Sequence, residues 1–573
     1  MSSKIPEICK DRVSEKARKA LDLVAKFVEE ECIPADPVLE AQLGPGDSRW
    51  DHYPNIIDEL KKKARALGLW NMFLPKGHYK ESPGFTNLEY GLMAEWLGKS
   101  KCASEAVNCA APDTGNMEVL AKYGNDAQKA QWLKPLMEGE IRSAFLMTEP
   151  QVASSDATNI ELSIRKEGSD YILNGQKWWS SGAGDPRCKV YIVMGKSDPN
   201  NKDPYRQQSV ILVPAETKGV TIHRMLNVYG YDDAPHGHGH ISFKDVRVPA
   251  SNLVLGEGRG FEIIQGRLGP GRIHHAMRTI GAAEKALEWM LMRINDPSKT
   301  PFKKQLREHG VILEWVARSR LEIDAARLIV LNAAIKMDVL GPKAALREIA
   351  EAKVLVPQMA LTVIDRAVQA FGGAGVSQDT PLAYMWAGIR TLRLADGPDE
   401  VHLQQMGKNE NKRGTEVTQK IGMQQRKTEE LLKSSKVLVP KDTNVQMGNT
   451  DTDTIGKDAS IKGDGKTLEY HRQVLQSKME NQTYDEAAAA DPPHHKAVSK
   501  LTQQDSSGNN YVSPSDEIMS PCTAKLNALR NKQVGKVKPR SLFAQASTKR
   551  MRGSESLFGS KPTTNPSSNL SAT

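Results

Sequence analysis

Residues 394–402 read Leu-Ala-Asp-Gly-Pro-Asp-Glu-Val-His and set one carboxylate, Asp396, just ahead of a predicted helix start. Gly397 frees the backbone, Pro398 suits a first helical position, and Asp399 and Glu400 complement the positive end of the helix dipole. A carboxylate on such a turn can be aimed into a cavity as a general base while the helix behind it stays rigid. The same local pattern also describes a plain N-cap, whose side chain only accepts free backbone N–H groups. A second group of candidates is His236-Gly237-His238-Gly239-His240, whose alternating imidazoles project from one face of a strand and could bind a metal. No nearby cysteine or well-placed carboxylate completes such a site, so no metal is expected. His274 and His275 read as helix packing.

The elements that must position these residues change character along the chain. Apolar residues recur at helical spacing over 12–31 and 53–69, with shorter amphipathic stretches at 116–123 and 127–137, so residues 1–145 form a helical domain. Short β-rich runs follow at 171–173, 190–194, 209–213, 220–222 and 240–248, separated by turn pairs such as Asn174-Gly175. Residues 146–256 are therefore a compact β domain. Helical periodicity returns over 273–294, 302–337, 342–371 and the segment after Gly397, enough for a four-helix bundle spanning 257–434. The order makes an α+β chain, with a β domain inserted between helical halves that pack together.

Four motifs stand in order within that frame: Ala144-Phe145-Leu146-Met147-Thr148-Glu149-Pro150 running on to Ser154-Ser155-Asp156-Ala157, then Asn174-Gly175-Gln176-Lys177-Trp178-Trp179-Ser180-Ser181-Gly182, then Phe371-Gly372-Gly373-Ala374-Gly375, then the Asp396 segment. Together, from about residue 10 to 430, they resemble the acyl-CoA dehydrogenase family. The resemblance implies a flavin adenine dinucleotide (FAD) enzyme with α-helical, β-barrel and four-helix domains. An isoalloxazine ring needs an apolar or aromatic wall and donors toward N1, O2 and N5. Trp179 occupies the family's flavin-stacking position, Ser181 matches the hydroxyl facing N5, and Met147 and Thr148 match the segment that bonds the pyrimidine edge. Trp178 reads as ordinary core.

Ser155 or Ser154 would lie near the pantetheine and phosphates of coenzyme A. The usual Thr-Glu-Pro-Gly-x-Gly-Ser-Asp is departed from here by one extra residue, which leaves the equivalent serine open. Gln369, Gly372 and Gly373 match a contact to the cofactor's pyrophosphate and adenosine in a neighbouring subunit, where glycine lets backbone approach phosphate. Taken alone, that glycine loop also suits a helix C-cap. Phe302 matches a second inter-subunit contact. The arginine usual before it is absent and Lys299 is the nearest cation, without the bidentate fork. These shared contacts imply a homodimer or homotetramer.

The implied chemistry is α,β-dehydrogenation of an acyl-CoA to a trans-2-enoyl-CoA in fatty acid β-oxidation, with electrons passing to an electron-transferring flavoprotein. Asp396 stands where most members have glutamate, so backbone or substrate must approach by about 1 Å to keep the reacting geometry. Some members keep the base on the helix beginning near residue 271, which is Gly271 here. Arg272 resembles an arginine beside the base, with a surface ion pair at a helix start as its plain alternative. The Gly271-to-Arg278 and 394–402 wording resembles the subgroup that in animals is fused to an aminoglycoside-phosphotransferase-like kinase domain, whereas this chain starts directly on the dehydrogenase-like part. That subgroup implies medium to very long, branched or hydroxylated acyl-CoAs. Three rival readings stay open: a flavin oxidase using O₂, a nitroalkane-oxidase-like enzyme that also uses aspartate, and a regulatory fusion whose tail carries the function.

Bulk properties bound these readings. A chain of 573 residues holds about three or four domains. Its six cysteines show no paired or metal-ligand spacing, which fits reduced thiols. No apolar run approaches the roughly 18 residues of a membrane span, so no membrane association is expected. The first residues, holding Glu7 and Asp11, resemble neither a signal nor a transit peptide. Peroxisomal, cytoplasmic and mitochondrial locations all remain open. Residues 435–573 are rich in Ser, Thr, Asn, Gln and Lys without apolar periodicity, the composition of disorder. After Glu517 ten Lys or Arg face one acid, a local excess that matches the whole-chain net charge of +9. The enzyme part is therefore not expected to bind nucleic acid. Residues 518–545, with Ser520-Pro521-Cys522-Thr523 and Lys538-Pro539-Arg540-Ser541, resemble a segment of fungal Spo-twelve-type mitotic-exit regulators. Ser435-Lys436-Val437-Leu438 comes one residue away from a peroxisomal Ser-Lys-Leu ending, which keeps open a junction of two adjacent genes.

Overall fold

The computed structural model describes residues 4–434, apart from the side chains of 268–270. The expected disordered tail, its Spo-twelve-like segment and the Ser435–Leu438 sequence lie outside the described residues. The first part is helical: α1 (Glu15–Phe27), α2 (Ile33–Leu43), α3 (Ile56–Ala66), α4 (Asn87–Leu97), α5 (Ala103–Ala106), α6 (Asp113–Tyr123), α7 (Asp126–Gln128) and α8 (Lys134–Met137). Local chemistry starts these helices. Ser14 caps α1 through Ala17 N, and Thr86 with Glu89 forms a reciprocal capping box on α4. Glu89 also accepts the Ser14 N–H, at 2.8 Å, so one acid ties two helix starts together.

The sheet comprises β1 (Arg142–Leu146), β2 (Ser163–Glu167), β3 (Asp170–Ser181), β4 (Cys188–Lys196), β5 (Gln208–Pro214), β6 (Val220–Met225) and β7 (His238–Pro249). Its seven strands run in the order β1-β4-β2-β3-β7-β6, with β5 also on β4. Period-2 alternation divides the faces. Val190, Ile192 and Met194 of β4 join the core shared with the helices, while Tyr191 and Val193 join the sheet's own core with Ile211 and Val213. β1 opens the sheet at Arg142, so a strand lies on the helical side of the boundary drawn at residue 145.

Three long helices follow: α9 (Gly260–Ile294), α10 (Gly310–Leu340) and α11 (Leu346–Phe371), of 35, 31 and 26 residues. Shorter α12 (Leu382–Thr391), α13 (Asp399–Asn411) and α14 (Gly414–Ser434) come after them. The fourth long helix expected after Gly397 is thus a pair of shorter ones. α11 is long and apolar enough to cross a membrane by length and composition, yet Ile349, Val356, Val363 and Ile364 are buried in the core with α9 and α10. Gly98 after α4 and Gly281 on α9 let the two halves touch. A Cβ at either would overlap a backbone carbonyl of the facing segment, that of Arg278 or Glu95.

α9 starts well before residue 271, because packing against α4 and α11 overrides the turn-like Gly-Pro-Gly composition at 269–271. Arg272 accordingly lies inside the helix, which removes the surface ion pair at a helix start. Phe302 lies in a 3₁₀ turn (Pro301–Lys303) outside any long helix, with a left-handed φ of 54° and 92% exposure.

Candidate active site

Pro398 is the extended N-cap of α13 and Asp399 its first residue. This corrects two sequence readings at once: Pro398 is not the first helical residue, and Asp396 is not the cap. The buried carboxylate here is Asp399, which accepts from Arg393 Nε at 2.6 Å, Gln358 Nε2 at 3.1 Å and Lys353 Nζ at 3.3 Å. Asp396 instead takes a left-handed φ of 56°, a strained choice for a residue with a Cβ and one that clusters at functional sites. Only its backbone carbonyl is engaged, by Arg272 Nε at 2.9 Å and His402 Nε2 at 3.3 Å. The main chain is thereby clamped while the carboxylate accepts no hydrogen bond among the described residues. It lines a small pocket with Arg272, His275, Ala276, Lys353, Pro357, Leu392 and Ala395.

Two histidines lie beside Asp396. His275 Nε2 is 3.9 Å from Asp396 Oδ2. Burial, with Arg278 beside it, pushes His275 down to about 4, so at neutral pH it forms no ion pair with Asp396. Burial and the nearby Arg272 and Lys353 do the same to His402, also to about 4. A Cβ on Gly271 would stand 3.8 Å from Asp396 Oδ2, in ordinary van der Waals contact, so position 271 borders the carboxylate. Of the adjacent histidines, His274 does pack, edge-on to Tyr90 and Phe73, whereas His275 faces the carboxylate.

The second half of the site lies at the C-terminal end of β3, past the residues that pair with β2. The β3–β7 register slips between Lys177 and Ser180, a bulge that leaves Trp179 at φ 51° and 41% exposed. Two residues on, the Ser181 hydroxyl is half-buried and 2.9 Å from His238 Nδ1. The strand is fixed behind this bulge by a buried pair. Lys177 Nζ donates to Met147 O and Glu149 Oε1, each at 2.7 Å, while Glu149 accepts the N–H groups of Glu161 and Leu162. Trp178 N donates to Thr148 O at 3.0 Å. Met147 and Thr148 are thus held at the Trp179 bulge by their carbonyls, and the Thr148 hydroxyl has no partner among the described residues.

The remaining sequence candidates fall in two places. Ser154 Oγ is closed onto the Glu149 backbone, accepting from its N at 2.9 Å and donating to its O at 3.3 Å. Ser155 is exposed, with a hydroxyl that lacks a partner among the described residues, and so is the one open to a ligand. Gln369, Gly372 and Gly373 are exposed at the end of α11, where Arg293 donates to the carbonyls of Ala370 and Phe371. A Cβ on Gly373 would meet nothing within 4 Å, so its own chain does not require glycine there. Lys299 and Phe302 sit in the turns between α9 and α10. No hydrogen bond or ring contact among the described residues joins this second set to the bulge.

Two participants escaped the sequence reading because only tertiary packing brings them in. Arg267 stacks 4.0 Å over the Phe145 ring of β1 and interacts electrostatically with Asp396, bridging α9 to the sheet. Glu118 on α6 is buried with neither carboxylate oxygen partnered, and burial, opposed by Arg267 and Lys122, pushes it up to about 8. His236, His238 and His240 diverge to different partners: Glu105 and Asp185, Ser181, and Gln176. Among the described residues no group of three or more His, Cys, Asp or Glu could hold a metal.

An exposed indole, a half-buried hydroxyl and a free threonine hydroxyl gathered at the end of β3 fit the wall and polar partners that a flavin ring requires. Family models agree along the chain: the acyl-CoA dehydrogenase N-terminal domain matches residues 14–140, the middle domain 144–246 and the C-terminal domain 258–410. A Spo12 family model matches residues 512–544, outside the described residues. Acyl-CoA dehydrogenase family member 10 of Mus musculus is 53% identical over 408 residues, 71% of this chain but 38% of that protein. The chain thus spans well under half of that relative's length. A solved structure from Mycobacterium abscessus assigned as an acyl-CoA dehydrogenase is 48% identical with a TM-score of 0.67, covering 70% of this chain and 99% of the other. At 23% identity and a TM-score of 0.58, a glutaryl-CoA dehydrogenase from Mycobacterium smegmatis in complex with FADH2 shares the fold, covering 71% of this chain and 98% of the other. The chain belongs to the acyl-CoA dehydrogenase family.

Proposed function

We propose that the chain is an FAD-dependent acyl-CoA dehydrogenase that converts a medium to long or substituted acyl-CoA to its trans-2-enoyl-CoA. The observation that carries this reading is Asp396: a strained backbone, clamped from behind by Arg272 and His402, holds an unpartnered carboxylate in a pocket. Asp396 would take the substrate's α-proton. His275 stays neutral beside it, so the carboxylate is left free to accept. Trp179, Ser181, Met147 and Thr148 would hold the flavin ring, and Gln369, Gly372, Gly373, Phe302 and Lys299 would hold the adenosine end of a neighbouring subunit's cofactor, making a homo-oligomer. Bound FAD supplies the acceptor for the hydride that leaves Cβ, and an electron-transferring flavoprotein would take the electrons onward. Ser155 is the serine placed to meet coenzyme A.

Anaerobic titration with acyl-CoAs of graded length and substitution, following loss of flavin absorption, tests this reading. Bleaching by acyl-CoA is expected, with Asp396→Asn retaining fold and flavin while reduction slows by about 10²–10⁴-fold, the usual contribution of a general base. Full reduction of that variant would remove Asp396 from the role. Turnover of nitroethane without any thioester would favour the nitroalkane reading, and protein that takes up no flavin would end the enzyme reading altogether.

A further inference from the structure

The central histidine of the 236–240 motif is left over from the chemistry above. Ser181 and His238 are register partners on β3 and β7, and the hydroxyl lies 2.9 Å from Nδ1 of the ring. On the ring's other side Nε2 is 4.0 Å from Asp233 Oδ2. Asp233 takes a left-handed φ of 57°, and its Oδ1 accepts from the Tyr384 hydroxyl on α12 at 3.0 Å. The His238 ring also lies 5.6 Å from that of Trp179. Backbone pairing on both sides already fixes the strand register here, so the side-chain chain Tyr384–Asp233–His238–Ser181 is not needed for that purpose.

The direction of the Ser181–His238 hydrogen bond follows from the groups present. Burial lowers the His238 value, with Asp233 opposing and His236 adding to the fall, so the ring is neutral at physiological pH. A neutral imidazole has one donor and one acceptor nitrogen. The charged groups that act on its partner Asp233 are His236 and Lys101, and with the Tyr384 hydrogen bond they outweigh burial and keep it a carboxylate. The Asp233 carboxylate, 4.0 Å from Nε2 and so beyond hydrogen-bonding distance, favours the Nε2–H tautomer by its charge, which leaves Nδ1 as acceptor. The Ser181 proton is then committed to His238, and Ser181 Oγ can only accept from a ligand.

We propose that His238 is a positioning residue that locks the Ser181 hydroxyl as an acceptor and so biases the site toward the reduced cofactor, whose N5 carries a hydrogen that the oxidised form lacks. The inference rests on the flavin reading, and its test separates the two. Flavin absorption of the full-length protein reports whether cofactor is held at all; the reduction potential of that bound flavin reports on His238. His238→Ala is expected to shift the oxidised-to-reduced equilibrium about tenfold toward oxidised, about 30 mV for a two-electron couple. His238→Phe, which keeps a ring beside Trp179, should do the same. His238→Asn, whose carbonyl can accept the hydroxyl, should recover to within about threefold. In a Ser181→Ala background the His238 substitutions should move the potential less than about twofold, since the group through which they act is gone. An unchanged potential in flavin-replete His238→Ala or His238→Phe overturns the proposal, as does an equal shift in both serine backgrounds. Parent protein that binds no FAD overturns the flavin reading itself.

Discussion

Asp396 and Asp399 differ in what surrounds them, and Glu118 shows a third fate for a carboxylate. Asp399 is stabilised as an anion by three donors, whereas Asp396 keeps an unpartnered carboxylate at a pocket. Glu118 is buried without a hydrogen-bond partner for either oxygen, and burial raises it from 4.5 to about 8. Its folded value therefore exceeds its unfolded one, so the proton it binds stabilises the folded chain below about pH 4.5. That contribution is lost as pH rises through about 8. Glu118→Gln imitates the protonated acid. Its melting temperature should match the parent near pH 5 and exceed it progressively toward pH 9. An offset that stays constant over that range would show that Glu118 is ionised in the folded protein.

At the scale of elements, the turn from α12 into α13 works because Asp399 pins it to α11 through Gln358 and Lys353. Asp399→Ala would leave Lys353 and Arg393 without their anion, and breaking a buried pair in this way costs about 3–5 kcal/mol. Chemical denaturation should show that loss, together with slower flavin reduction because Asp396 loses its anchor. A loss below about 1 kcal/mol would mean that Arg272 and His402 hold the turn unaided. The central strands were readable in the sequence because they are short runs of β-favouring residues bounded by turn pairs. The hidden elements share a physical cause. α2 carries Pro34 and Pro37, which read as breakers, and α4 is apolar on nearly every side, which erases the amphipathic period. The start of α9 was disguised by glycine and proline, since composition reports propensity whereas packing on α4 and α11 decides the outcome. For the site, Asp396, Trp179 and Ser181 were legible because short motifs carry them. Arg267, Glu118 and the partner of Ser181 were not, since their contacts join residues far apart in the chain.

Across the whole molecule, the helical part and the sheet are joined by a buried charge cluster that no local pattern announces. Glu105 on α5 takes Arg142 at 2.7 Å, Arg187 at 2.8 Å and His236 at 3.0 Å, while Asp185 takes Arg187 and His236, each at 2.8 Å, and Asp113 takes Arg142 at 2.8 Å. Burial and Arg142 oppose the charge on His236, yet Glu105 and Asp185 outweigh them and hold it above its ordinary value of 6.5. Glu105 and Asp185 lie below their ordinary values despite burial, because the same cations face them. The two kinds of shift bound a window. The acids contribute fully above about pH 4.5 and lose their contribution as pH falls through their depressed folded values, whereas His236 contributes fully below about pH 6.5 and fades as pH rises through its raised one. Stability from this junction should therefore be greatest between about pH 4.5 and 6.5. His236→Gln, which keeps a polar side chain but cannot take the charge, should cost about 1.5–3 kcal/mol at pH 6, the usual worth of hydrogen bonds to charged groups. The gap to the parent should narrow as pH rises above about 6.5 toward 9, because the parent's contribution fades toward its raised folded value. Melting curves of parent, His236→Gln, Glu118→Gln and the double variant separate the contributions, because the Glu118 change should leave the narrowing intact. A gap for His236→Gln that is the same at pH 6 and pH 9 would show that the imidazole is neutral in the cluster, and that the junction is held by Arg142, Arg187 and Lys61 without it.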